Sequence, residues 1–172
     1  MNRLSANILT IAAILIFCAP SALAEEHHAH HQQQERKQER ETPQLNHGKL
    51  WATDAPLRQG MERIRDAALL AQKASINNGK LSNETAATLA SGIDDALAFM
   101  FERCALESGA DENLHILLER LIHASEALKE NHNSVEGMPQ VHEVLKTYPH
   151  YFEHPNWETP SLDGLYGLPR YP

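Results

Sequence analysis

Four histidines fall within five positions, at His27, His28, His30 and His31. Closely spaced imidazoles can wrap Cu(II), Ni(II) or Zn(II) without a folded site. The same stretch also reads as a polar solubilising segment. Further along, Met61, Cys104 and His115 offer a thioether, a thiol and an imidazole. Thiolate and thioether select Cu(I), and imidazole suits several metals. A His–Met pair would equally suit the iron of haem b. His150 and His154 add an H-x-x-x-H pair, which lies on one face if the segment is helical, although Pro149 and Pro155 bracket it. Each of these residues has a plain reading beside the chemical one. Met61 and Cys104 fit apolar stripes, His115 fits the flank of one, and His150 and His154 sit among aromatic residues. The sequence has no G-x-S-x-G, no H-E-x-x-H, no phosphate loop and no C-x-x-C-H. The expectation is therefore a non-enzymatic protein without covalent c-type haem.

The N-terminus bounds where such chemistry would occur. Arg3, the apolar run Ile8 to Phe17 and the Ala22-Leu23-Ala24 triplet read as a secretory signal peptide over 1–24, cleaved after Ala24. Cys18 is preceded by Phe17, too large for a lipoprotein cleavage site. Cleavage removes Arg3 alone among charged side chains and takes the formal charge from -8 to about -9. All 11 histidines stay. So acidic a chain disfavours nucleic acid or an anionic membrane as partner. Cys104 is the single remaining cysteine, so no internal disulfide can form and a hydrophobic core must hold the domain. No later segment is apolar enough to span a membrane. The expected location is the periplasm.

The positioning elements follow from apolar periodicity. Residues 25–44 have almost nothing to bury and read as a disordered His/Gln-rich tail. A first helix is expected over 54–77, with Leu57, Met61, Ile64, Ala68 and Ala71 as its stripe and Thr53 or Asp54 as its cap. A second is expected over 83–107, with Ala86, Ala90, Ile93, Leu97, Met100 and Cys104 in register. A third is expected over 112–131, capped by Asp111, with Leu114, Leu117, Leu121, Ala124 and Leu128. A shorter fourth is expected from about Pro139, carrying Met138, Val141, Leu145 and Tyr148, with Phe152 as a further candidate and Pro149 bending or ending it. The expected fold is all-α, an up-down-up-down four-helix bundle over 45–158, followed by an extended tail over 159–172. In that order the start of the first helix, the end of the second and the start of the third share one end. Met61, Cys104 and His115 then lie within roughly one helical turn of each other in height.

Three blocks carry a resemblance. They are Trp51 to Met61 (WATDAPLRQGM), Cys104 to Leu106 with Ala110-Asp111 and Leu114-His115, and Tyr151 to Trp157 (YFEHPNW). Together they resemble a DnrO-like family of small exported proteobacterial proteins, over about residues 45–158. Members resemble this chain in a His-rich start after the signal, and the label carries no established activity. The family pattern has Gly before the last Trp, where this chain has Asn156. A looser resemblance is to cytochrome b562-type four-helix bundles, which implies Met61 as a haem ligand and His150 or His154 as its partner. The leading functional expectation is a periplasmic metal-binding protein for copper capture or delivery. The alternatives are a b-type haem electron carrier and a metal-free envelope interaction module.

Overall fold

A computed structural model describes residues 42–75, 81–130 and 134–161, with the side chains of 134–136 outside it. The expected signal peptide, His27, His28, His30, His31 and the last eleven residues lie outside the described residues. Among the described residues four α-helices follow in order: α1 Ala55–Ser75, α2 Asn83–Arg103, α3 Ser108–Lys129 and α4 Ser134–Thr147, the last running into a 3-10 turn at Tyr148–His150. The helices pack α1 on α2, α2 on α3, α3 on α4 and α4 back on α1. The described residues contain no strand, only two isolated bridges. No helix among them is long and apolar enough to cross a membrane.

The stripes are what close the bundle. Leu57, Met61, Ile64, Ala68 and Ala71 of α1 meet Ala86, Ala90, Ile93 and Met100 of α2, Leu114, Leu117 and Leu121 of α3, and Met138, Val141 and Leu145 of α4 in one core. Asp54 caps α1 by accepting the Leu57 N–H at 2.8 Å. Ser82 caps α2 by accepting the Thr85 N–H at 3.1 Å. Two small residues set close approaches. A Cβ on Gly60 would clash with the Met100 side chain, and one on Gly137 would meet the Ala124 carbonyl oxygen at 2.8 Å. Asp94 ties α2 to α3, accepting from Ser125 at 2.6 Å and pairing with Lys129 at 2.6 Å. Burial pushes its carboxyl up, but the two hydrogen bonds and the Lys129 charge outweigh this and hold it below the usual range.

Three expectations about element ends are corrected. The second helix stops at Arg103 rather than residue 107, because Cys104 turns extended (φ -68°, ψ 138°) and the next N–H, that of Ala105, goes to Asp54 at 2.7 Å. The third helix begins at Ser108 rather than 112, and Asp111 sits in its first turn instead of capping it. Gly109, a helix stop by composition, is a seat for Trp51: a Cβ there would lie 2.6 Å from the indole ring. The fourth helix starts five residues before Pro139, which stands inside it at the loss of one backbone hydrogen bond.

Residues 42–44, within the expected tail, belong to the folded domain. Pro43 is buried, and the Gln44 N–H donates to Asn113 at 2.6 Å. A tight turn follows at Asn46–Lys49, with two backbone hydrogen bonds and both central residues at positive φ, His47 at 50° and Gly48 at 82°. The chain then crosses the end of the bundle and pairs with the segment after α4. Trp51 N–H donates to the Tyr151 carbonyl at 2.7 Å, and Glu153 N–H donates to the Trp51 carbonyl at 2.8 Å.

Candidate functional site

The segments 51–61, 104–115 and 151–157 meet at this end. Trp51 lies on Gly109 and donates its indole N–H to the Gln44 carbonyl at 2.6 Å. Arg58 donates to both the carbonyl and the hydroxyl of Thr53, at 2.7 and 2.9 Å, and that hydroxyl donates to the Glu153 carbonyl at 2.5 Å. Asp54 uses both carboxylate oxygens, one on α1 and one on the α2–α3 connector. The contacts of Thr53 with Glu153 and of Asp54 with Ala105 join blocks distant in sequence.

Cys104 is half-buried on that connector and forms no disulfide. Its thiol is pushed up to about 11, first by burial, then by the Asp54 and Asp111 charges and a hydrogen bond to Asp54. It is therefore a protonated donor to a carboxylate at neutral pH, not a ready nucleophile. His115 is exposed, and its Nδ1–H donates to the Asp111 carbonyl at 2.8 Å. That leaves Nε2 as the nitrogen able to take a ligand. The Asp111 carboxylate lies 3.6 Å from His115 Nδ1. Asp111 thus acts on both the thiol and the imidazole. Met61 is elsewhere in character: it has no exposed surface and is part of the core.

His150 and His154 do not share a helix face. His150 ends the 3-10 turn and is exposed, Tyr151 leaves helical geometry at φ -123°, and the chain leads on to His154 without helix. His154 has only 3% of its side chain exposed. Tyr148 Oη donates to its Nδ1 at 3.1 Å, and its Nε2–H donates to Glu62 at 3.3 Å. The Glu62 carboxylate only accepts, so the neutral ring carries its proton on Nε2 and leaves Nδ1 as the acceptor for the Tyr148 hydroxyl, which burial keeps protonated well above its usual range. With both ring nitrogens engaged and Met61 sealed in the core, this pair offers haem iron no open ligand. Around this relay, Tyr148 stacks on Phe152 at 5.5 Å and meets the Trp157 edge at 5.0 Å, while Arg65 lies 5.3 Å from the Trp157 ring centroid. The Trp157 indole nitrogen is buried with no hydrogen-bond partner, alone in this among the described residues.

Asn156 takes φ 62°. That is left-handed backbone, which Gly adopts freely and which Asn tolerates better than most side chains. Asp54 and Asp111 are legible in the sequence only as helix caps and Tyr148 only as a core position, and Glu62 carries no signal of its own. Among the described residues, no three His, Cys, Asp or Glu side chains are grouped to hold a metal ion.

The relay makes stability depend on pH. Burial pushes the His154 imidazole below its ordinary 6.5, outweighing the hydrogen bond and charge of Glu62, and the Arg58 and Arg65 charges push the same way. The unfolded chain therefore takes up this proton before the folded one does. The stabilising contribution is complete above about pH 6.5 and falls as pH drops below it, by at most about 1.4 kcal/mol per pH unit. Thermal unfolding between pH 8 and 5 measures this. His154→Gln should flatten the curve in that window, and an unchanged slope would assign the pH dependence to other groups.

No protein-family model, no curated protein and no solved structure matches the chain.

Proposed function

We propose that this chain is an exported, periplasmic, non-enzymatic metal-binding protein, with copper as its metal. The observation that carries this reading is the cluster of four imidazoles, His27, His28, His30 and His31, ahead of a folded domain. These residues capture the ion. The Cys104–His115 end is the place to which it is passed. Two carboxylates, Asp54 and Asp111, act on the Cys104 thiol there. The same negative charge that holds the proton on sulfur attracts a cation, and a bound cation displaces that proton. Met61 serves packing. The reading takes the helices in up-down-up-down order, which puts the start of α1 beside the end of α2. The hydrogen bond from Ala105 to Asp54 supports that order.

The test is a Cu(II) and Cu(I) competition titration on the mature chain, purified without a His-affinity step. Replacing His27, His28, His30 and His31 by Ala should weaken Cu(II) binding by at least about tenfold, since several imidazoles are lost together. Cys104→Ser should spare Cu(II) capture and weaken Cu(I) binding. A parent chain that binds neither ion would refute the proposal and leave the domain as a metal-free interaction module. So would a four-histidine variant that titrates like the parent.

A further inference from the structure

Away from the site, α1 and α2 part to leave a groove of ≈ 410 Å³ lined by Ala67, Leu70, Ala71, Ala74, Leu89 and, at its rim, Glu84. Its lining is mostly apolar. Leu70 is 69% exposed, and Leu69, on the outer face of the same helix, is 39% exposed. Leu70 borders the groove directly, and Leu69 stands further round the solvent side of α1, with the exposed Asp66 and Lys73 between the two.

The chain itself leads to that side of α1. After Trp157 it runs along α1: Pro160 is buried, and Gln72 donates to the Ser161 carbonyl at 2.8 Å. Gln72 lies within the same two turns of α1 that line the groove. At 100° per residue, Leu69 is the next side chain round the solvent face from Gln72, and Leu70 then leads into the groove. The eleven residues that follow Ser161 read LDGLYGLPRYP. Leu162, Leu165, Leu168 and Tyr171 recur at every third position. In an extended three-residue repeat such a pattern puts all four on one face, which needs an apolar surface to cover it. The path round a helix about 10–12 Å across is on the order of 25 Å. Eleven extended residues reach about 36 Å. Arg170 falls between the last two apolar positions, where the rim of the groove carries Glu84.

We propose that residues 162–172 wrap the outer face of α1 over Leu69 and Leu70 and occupy the α1–α2 groove, as a cover for this chain's own apolar surface. This is independent of metal binding.

The experiment is hydrogen exchange on the full mature chain, on a chain ending at Ser161, and on the full chain with Leu165→Asp and Leu168→Asp. Residues 67–74 and 84–92 should exchange at least roughly tenfold faster in both variants, with 110–125 unchanged. Should the truncated chain loosen throughout, the double Asp variant decides alone. Unchanged exchange at the groove in that variant would overturn the proposal. A full chain that sediments as a dimer, with groove protection that rises with protein concentration, would overturn it in favour of a second copy as the occupant.

Discussion

Replacing Phe152 by Ala lowers the unfolding free energy by about 3–5 kcal/mol, the cost of removing a fully buried aromatic ring. Phe152 is not on a helix. It follows the 3-10 turn, with its N–H donating to the Tyr148 carbonyl at 3.1 Å, and its ring is 1% exposed and stacked on Tyr148. Its neighbours Tyr151 and Glu153 hold Trp51 by backbone hydrogen bonds. The ring therefore closes the core at the end where no helix covers it. Urea unfolding followed by circular dichroism checks the value. The far-UV signal of the folded state should be nearly unchanged, because no helix loses a residue. A loss under about 1 kcal/mol would mean the segment lies over a core already closed by the helices.

Much of this domain is legible in its sequence, and the legible part has one physical origin. A helix shows its buried face as a 3.6-residue period, so the spacing of Leu57, Met61, Ile64 and Ala68 alone marks them as core. All four have no exposed surface. The positions where the fold departs from that pattern share a different origin. Cys104 continues the period of α2, but a contact fifty-one positions away, Asp54 to Ala105, ends the helix just before it. Gly109 carries the composition of a stop and serves instead to admit an indole ring. Pro139 carries the composition of a start and sits in the second turn. Local rules describe what a residue prefers, and here tertiary contacts override the preference.

The candidate ligands show the same division. Periodicity and an up-down helix order bring Met61, Cys104 and His115 to one level, and that reasoning concerns height along the bundle. It is silent about radius. Met61 points into the core, Cys104 lies half-buried at the rim and His115 is exposed. The spacing of His150 and His154 suits a helical pair, yet the chain leaves helical geometry between them and buries one ring while exposing the other. The contacts that join these distant segments, Thr53 with Glu153 and Asp54 with Ala105, leave no mark in local spacing.

Asp54 is the residue on which those contacts converge, and its replacement is the second large effect expected. Asp54→Ala removes the cap of α1 and the acceptor for the Ala105 N–H in one step. A lost N-cap costs about 0.5–2 kcal/mol. A hydrogen bond to a charged group contributes about 1.5–3 kcal/mol. The two share one carboxylate and are not fully additive, so the expected loss is about 2–4 kcal/mol. Asp54→Asn separates structure from charge. Its amide oxygen can keep the cap, so less stability is lost, while the negative charge beside Cys104 disappears. Burial, the larger cause, still holds the thiol up, but two of the lesser causes go with the Asp54 charge and hydrogen bond. The thiol should then titrate below about 11, and its alkylation at pH 8 to 9 should speed up in the folded protein. The control is the same reaction in urea, where parent and variant should be alike. A folded Asp54→Asn protein whose Cys104 reacts at the parent's rate would assign the raised thiol to burial and Asp111, and would remove Asp54 as a reason for placing a cation at this end of the bundle.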